Sequence, residues 1–557
     1  ALGTDLIFLA FVAMVAGLLT LTARQVSRPY TQGITIHLSF TALPVYTLLS
    51  LGRGFAAYVL SLIFTLIYGT IAAHNHKAER VMIPALDVLQ AIPVLAFLPG
   101  LVLAMVHLFP TRELGLELAC VVMIFTAQVW NMTFSFHGSL RAIPAPLREV
   151  ATIQHLSNWQ IFKLLELPAA MIGLVWNSMM SMAGGWFFLT VNEAFTLAGH
   201  DYRLPGIGSY MNEAINVGNI PAMIAAIIAM VIMIVAVDQL FWRPIVVWSQ
   251  RFKLEDSTGG DAAQSWMLNL LQKSRLYQRV QRMFQREDKP VVNLAAAPSH
   301  ETAGTGWAWA LIGVRWLVLA GLAVGSIVGA AALVHLLIEL HMRQWLTVLA
   351  ALLASFGRTT AAVALGAAWT LPVGILIGLS PKWSERLQPF IQIIASFPAP
   401  MLFPLVTMLL IVLHVPFTIG CVALMLLGAQ WYILFNVIAG ATAIPADLKE
   451  VAGVYRASRW QRWTRLYIPS VFPYLVTGLV TAAGGAWNAT IVSEYVLLRG
   501  KTFEAFGLGS AISKATNDGD YPMLCASVVV MAAAVVLINR FFWKKMYRLA
   551  EERYSLL

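Results

Sequence analysis

Apolar residues along this chain fall into blocks separated by short polar stretches. A helix needs about 20 such residues to cross the hydrocarbon core of a bilayer, so each block predicts a membrane-spanning helix. The blocks lie near 5–23, 51–74, 84–108, 116–138, 169–192 and 221–245, and again near 307–338, 350–378, 388–412, 417–440, 470–493 and 522–543. That is six and six. The stretches 38–50 and 345–355 are either elbow helices or extensions of the next span. Pro93, Pro99, Pro398 and Pro404 fall inside blocks, where neighbouring helices can re-satisfy the interrupted backbone. The expected fold class is an all-α polytopic membrane protein of about twelve helices.

Composition agrees with the pattern. Of 557 residues, 59% are hydrophobic and 11% charged, where a soluble domain is about a quarter charged. The first block lacks a basic leader and a small-residue cleavage site, so it reads as a span and not a signal peptide. Three cysteines give no disulfide framework, and Cys120 and Cys421 lie inside apolar blocks as small buried thiols. The net charge of +10 gathers in inter-span loops and the C-terminal tail. A positive-inside orientation accounts for it without nucleic acid.

Between the two sets of blocks the text turns polar, over about 247–306. Here "RLYQRVQRMFQRED" carries four arginines, with Leu276, Tyr277, Val280, Met283 and Phe284 at helical spacing. It reads either as a basic amphipathic helix on the membrane surface or as a helix packed on a cytosolic partner. The following "NLAAAPSHETAGTG" is linker-like.

The two sets are copies of each other. At a shift of 301 residues Ile143-Pro144-Ala145 falls on Ile444-Pro445-Ala446, Glu149-Val150-Ala151 on Glu450-Val451-Ala452, and Trp186 on Trp487. Glu193 falls on Glu494, Gly206-x-Gly208-Ser209 on Gly507-x-Gly509-Ser510, and Phe241-Trp242 on Phe542-Trp543. Upstream the shift is 305, which pairs Gly52-Arg53 with Gly357-Arg358. The organisation is therefore a first repeat at 1–246, a cytoplasmic linker at 247–306 and a second repeat at 307–557. An even number of spans per repeat makes the copies parallel, as a pseudo-two-fold dimer in one polypeptide. Lys449, Arg456, Arg459, Arg462 and Arg465, with Lys544, Lys545, Arg548 and Arg553 of the tail, place these loops and both termini in the cytoplasm.

The repeated loops at 141–168 and 442–469 keep one order of Pro, Glu, Ala, Ser, Trp and Pro, more than a basic connection requires. Glu-x-Ala, then Ser-x-Trp, then Leu-Pro or Ile-Pro entering the next span resembles the "EAA" loop of permease subunits of binding-protein-dependent ABC importers. The resemblance covers about 50–250 and 355–550. Trp-x6-Glu and the Gly-x-Gly-Ser segment are similar to the nitrate, sulfonate, bicarbonate and taurine branch, and the fused form to duplicated anion-type permeases.

The resemblance implies a fold like that of type I ABC importers and a bacterial cytoplasmic-membrane location. In each loop it implies a short coupling helix docking a cytosolic ATPase, with Glu149, Ala151, Ser157, Trp159 and Pro168 in the first copy and Glu450, Ala452, Ser458, Trp460 and Pro469 in the second. Two loops imply two ATPase copies, and delivery implies a periplasmic or surface binding protein. His155 and Arg456 stand where the family loop has glycine, so the turn is expected to differ in detail.

The chain has no G-x-x-x-x-G-K-[ST] phosphate loop, no clustered metal ligands and no nucleophile elbow. No cofactor is expected on it, and ATP and Mg belong to the partner. A membrane enzyme is thereby disfavoured. An ion-coupled secondary transporter with duplicated halves remains the alternative. Polar residues within spans are the natural pathway candidates. The fifth spans carry most: Asn177, Ser181, Trp186, Phe187, Asn192 and Glu193, against Trp487, Asn488, Thr490, Ser493 and Glu494. These either line the path or fasten helices to one another. Arg53 and Arg358 either attract an anion or snorkel to headgroups.

Overall fold

The structure, a computed structural model, describes residues 2–252 and 327–554 apart from 29–33, 92 and 111–112, with a few isolated residues between 253 and 326. The amphipathic linker segment at 275–288 lies almost wholly outside the described residues. Eight helices among the described residues are long and apolar enough to cross a membrane, four in each half. The block at 5–23 lies within the helix Leu2–Val26. Of the block at 307–338, the apolar helix Ile327–Ile338 is described. The segments before the second spans are extensions and not separate elbows, since Leu43–His74 and Met342–Leu379 are unbroken.

The third span of each half departs from expectation. Neither 84–108 nor 388–412 is one straight helix: each is a pair of helices bent sharply at a short break, as a broken span or a re-entrant loop. Helix His76–Ala91 ends before Pro93, a short turn Val94–Phe97 follows, and helix Leu98–Leu108 leaves at 87°. The second half repeats this with Pro381–Ser396, the turn Ala399–Leu402 and Phe403–Val412, at 77°. Proline lacks the N–H a continuing helix needs and disfavours α geometry in the residue before it. Pro93 and Pro398 accordingly sit extended, with ψ of 118° and 109°. The first leg also carries Lys77, Glu79, Arg80 and Asp87, of which only Asp87 falls inside the block at 84–108.

An all-helical reading also omits two small hairpins. Strands β1 (Ala194–Leu197) and β2 (His200–Arg203) pair antiparallel, as do β3 (Tyr495–Leu498) and β4 (Lys501–Glu504). Both two-residue turns, Ala198-Gly199 and Arg499-Gly500, have positive φ throughout, the twist that tight hairpins favour. Each tip reaches the other half. The Ala198 N–H donates to the Thr516 carbonyl at 3.0 Å, and Arg499 lies against Gly218 at the end of helix Ile207–Val217.

Within each half the second, fourth and fifth spans form the bundle. Lipid tails are as apolar as leucine, so close packing and not water exclusion holds such helices together. Gly378 shows how close: a Cβ there would stand 2.6 Å from Ala441 Cβ and from the Ile438 carbonyl oxygen. One buried cluster runs through both halves, joining Trp186, Leu189 and Met230 to Met401, Trp487 and Ile491. The repeats therefore form one molecule around a shared axis.

Candidate functional site

Each repeated loop folds as a short helix, a tight turn and a second helix that runs into the fifth span. The first helices are Ala145–Ile153 and Ala446–Val454, each entered from an extended proline, Pro144 or Pro445. Ala151 is buried and Ala452 half-buried on the side facing the bundle. Leu147, Val150 and Ile153 are exposed, as are Leu448, Val451 and Val454, giving each helix an uncovered apolar edge. Glu149 and Glu450 are exposed too.

His155 and Arg456 stand at the turn itself. They adopt φ of 52° and 47°, the left-handed geometry that glycine would supply. Leu156 N–H donates to Ala151 O at 3.1 Å and His155 N–H to Thr152 O at 3.0 Å, and Ala457 and Arg456 repeat this with Ala452 and Gly453, both at 3.0 Å. This pattern closes a helix with a left-handed residue. The turn is kept, with side chains forced into it at a cost of about 1–2 kcal/mol each.

Ser157 and Ser458 cap the next helix. Ser157 Oγ accepts from Gln160 N–H at 3.3 Å while Gln160 Oε1 accepts from Ser157 N–H at 2.8 Å; Ser458 and Gln461 do the same at 3.2 and 2.8 Å. The reciprocal pairs fix where the chain turns upward. Trp159 and Trp460 follow at once and are 69% and 77% exposed, too much for tryptophans with only a packing role in this chain. Trp159 stacks on Phe162 at 5.6 Å. Pro168 and Pro469 sit in the first turn of the fifth spans, Leu167–Asn192 and Ile468–Ser493, just after a π-helical turn.

At the other end of the fifth spans, the arginines take a role that neither alternative contained. Arg53 is 3% exposed and binds Glu117 through Nε and Nη2, both at 2.7 Å, and Glu193 through Nη1 at 2.7 Å. Glu193 also accepts from Ser50 Oγ at 2.6 Å and from the Gly208 N–H at 2.7 Å. The Gly-x-Gly motif thus presents a helix N-terminus to a buried carboxylate, where free N–H groups favour negative charge. A Cβ on Gly206 would collide with that carboxylate, and one on Gly208 with the Thr190 carbonyl oxygen.

In the second half Glu494 accepts from Ser355 Oγ, Arg358 Nη1 and the Gly509 N–H at 2.8, 2.8 and 2.9 Å. Thr418 occupies the position of Glu117, so Arg358 Nε donates only to its carbonyl, at 3.2 Å. Arg53 and Arg358 are committed to internal partners.

A cavity of about 300 Å³ lies between the halves at this end. It is walled by the two bent third spans, both fifth spans, both hairpins and the short helices Ile207–Val217 and Leu508–Asp518. Its polar lining includes Thr190, Thr196, Asn212, Thr516 and Asn517, and no charged side chain borders it. The fifth spans contribute Thr190, Val191, Ile491 and Val492.

None of the thirteen pathway candidates borders that cavity. Asn177 fastens helices instead, donating to Ser135 Oγ at 2.9 Å and to Gly173 O at 3.0 Å. Thr490 donates to its own helix at Trp487 O, 2.7 Å away. Trp186 and Trp487 are buried, and Phe187 packs against Phe188, Met425 and Ala489. Asn488 Nδ2 donates to Gly484 O at 3.1 Å, and its Oδ1 accepts from Val94 N–H of the other half at 2.8 Å. Ser181, Asn192 and Ser493 are buried with no hydrogen-bond partner among the described residues.

Sequence reasoning passed over Glu117, Ser50 and Ser355. Glu117 is 64 residues from Arg53, although a lone acid inside an apolar block was itself a signal. It also passed over Asn212 and Thr516, since the loops after the fifth spans carried no sign of folding back over the axis.

Comparison with known proteins agrees with this geometry. The family of binding-protein-dependent transport system inner membrane components matches twice, at residues 65–241 and 370–543, which together make up more than half of the chain. A bicarbonate transport system permease protein, CmpB, of Synechococcus elongatus is 28% identical over 189 residues, 34% of this chain and 65% of that protein. A nitrate import permease protein, NrtB, of Leptolyngbya laminosa is 27% identical over 186 residues, 33% of this chain and 63% of its own length. A putative aliphatic sulfonates transport permease protein, SsuC, of Bacillus subtilis is 27% identical over 178 residues, 32% and 60%. Each match thus spans less than two thirds of the relative.

Proposed function

The chain belongs to the family of inner membrane components of binding-protein-dependent transport systems, and from that membership we propose that it is the complete permease pair of an ATP-driven importer. It takes a small anion from a binding protein on the outer face and releases it into the cytoplasm by alternating access. Both halves of the usual dimer are in one polypeptide, with both termini cytoplasmic and the segment 247–306 as a cytoplasmic linker.

The observation that carries this reading is the pair of matching exposed helices. Leu147, Val150, Ile153 and Trp159 recur 301 residues later as Leu448, Val451, Val454 and Trp460, all exposed. Uncovered apolar edges of this kind mark interaction surfaces, and the tryptophan beside each is among the residue types that dominate binding energy at protein interfaces. Two such edges on one chain take two copies of a cytosolic ATPase, which supplies the ATP and Mg site. The shared residues make one kind of ATPase sufficient for both.

An anion is favoured by the names of the relatives, which move bicarbonate, nitrate and sulfonates. With Arg53 and Arg358 already paired, the anion is held by polar donors of the axial cavity, among them the side-chain amides of Asn212 and Asn517. The pathway through the fifth spans continues inward from there, past Ser181.

The test is reconstitution in proteoliposomes with the partner ATPase and binding protein, offering labelled nitrate, bicarbonate and alkanesulfonate. Uptake of at least one solute should require ATP, the ATPase and the binding protein together. Uptake driven by a proton or sodium gradient without the ATPase would replace this reading with the secondary transporter.

A further inference from the structure

The two bent third spans are repeat mates, yet they are held differently. Each short turn packs against the fifth span of the opposite half: Val94–Phe97 against Ile468–Ser493, and Ala399–Leu402 against Leu167–Asn192. Both turns also wall the outer cavity, through Leu95 on one side and Pro400 and Met401 on the other. Whatever passes the axis passes between them.

The first turn is tied. Its leading N–H, on Val94, donates to Asn488 Oδ1 at 2.8 Å, and Asn488 Nδ2 donates to Gly484 O at 3.1 Å. The second bond fixes the amide in the orientation the first requires. A backbone N–H at the start of a turn has no partner within the turn, and in a membrane interior it needs one from elsewhere.

The second turn lacks this tie. At the shift of 301 the mate of Asn488 is Phe187, which has no acceptor, and at the upstream shift of 305 the mate of Val94 is Ala399. Leu95 becomes Pro400, which has no N–H to hold. Among the described residues no side chain accepts from the Ala399 N–H. Its surroundings are smooth instead: a Cβ on Gly428 would stand 3.8 Å from Ala399 Cβ and 3.8 Å from Phe187 Cε2. Glycine and a phenyl face give contact without directional bonds.

We propose that Asn488 is a positioning residue of an asymmetric outer gate, holding the turn 94–97 in place while the turn 399–402 is the leaf that moves. This rests on the permease reading. It assigns different tasks to two halves of shared origin, and it turns the difference between Asn488 and Phe187 into a mechanical one.

The test uses the full chain with its ATPase partner in right-side-out membrane vesicles, with Cys120, Cys421 and Cys525 replaced by alanine. Single cysteines at Leu95 or Met401 are labelled with a membrane-impermeant maleimide, without nucleotide and after trapping with ATP and vanadate. One buried hydrogen bond shifts an opening equilibrium by about tenfold, so the change in labelling rate between states should be about tenfold larger at Met401→Cys than at Leu95→Cys. Asn488→Leu should make the Leu95 site respond like the Met401 site. Asn488→Asp, which keeps the acceptor, should not. Phe187→Asn should damp the response at Met401→Cys.

Equal responses at the two turns without these substitutions would overturn the proposal, as would an unchanged Leu95 site in Asn488→Leu. If Asn488→Leu fails to insert, Phe187→Asn decides, and an undamped Met401 site overturns the proposal. Silence at both sites in the presence of an active ATPase would overturn the permease reading along with it.

Discussion

Arg53 grips Glu117 through two nitrogens at 2.7 Å each, and its repeat mate Arg358 has no such carboxylate to grip. The first half buries one arginine between two acids, Glu117 and Glu193. The second buries one arginine with one acid, Glu494. Removing a buried cation leaves its partners uncompensated, at about 3–5 kcal/mol. Arg53→Met should therefore lower the melting temperature of the purified protein more than Arg358→Met, and Glu117→Gln should restore part of the loss. Thermal size-exclusion profiles in detergent would check this; equal losses in the two single variants would contradict it.

The Gly-x-Gly segments make a steric prediction at the same place. Gly208→Ala and Gly509→Ala push a methyl into the carbonyl of Thr190 or Thr490, and overpacking of this kind costs about 1–3 kcal/mol. Gly500 and Gly199 have open space around them but positive φ, so alanine there should cost less, about 1 kcal/mol of backbone strain. Expression and thermal stability of the four variants should rank in that order.

His155 and Arg456 predict a gain. Glycine at either position relieves left-handed strain of about 1–2 kcal/mol, offset in part by its greater freedom in the unfolded chain. His155→Gly and Arg456→Gly should leave stability unchanged or raise it by about 1 kcal/mol or less, with uptake retained. A marked loss would mean these side chains contact the ATPase directly.

The duplicated loops, with their repeated order of Pro, Glu, Ala, Ser, Trp and Pro, were legible in the sequence, because they are written in residues close together. Ser157 and Gln160, or His155 six residues after Glu149, are local signals. The breaks at Pro93 and Pro398 were half-legible, because proline is tolerated inside spans and so marks a possible break without requiring one. The hairpins were marked by Gly199 and Gly500 at two-residue turns. The commitments of Arg53 and Asn488 were not legible, because their partners lie 64 and 394 residues away and only the assembled bundle brings them together. A polar side chain within a span looks the same in sequence whether it faces a solute or a neighbouring backbone.

Trp159 and Trp460 predict the strength of docking. Truncating a central tryptophan at an interface costs about 2 kcal/mol or more, roughly thirtyfold in affinity. Trp159→Ala and Trp460→Ala should each weaken ATPase association by that order, and the double variant should uncouple ATP hydrolysis from uptake. Substrate binding to the separate binding protein should be untouched. Surface-plasmon measurements of ATPase binding to the detergent-purified chain read the first effect, and ATPase assays in proteoliposomes the second.

The most direct measurement of the central claim is the native mass of the purified complex. Each half of this chain carries one of the two matching helices, Ala145–Ile153 or Ala446–Val454, so if these dock the ATPase as proposed, a single copy of the chain should hold two copies of it. The double variant Trp159→Ala/Trp460→Ala should lose both. A complex with two copies of this chain, or a chain that purifies with no ATPase when the two are produced together, would contradict the account.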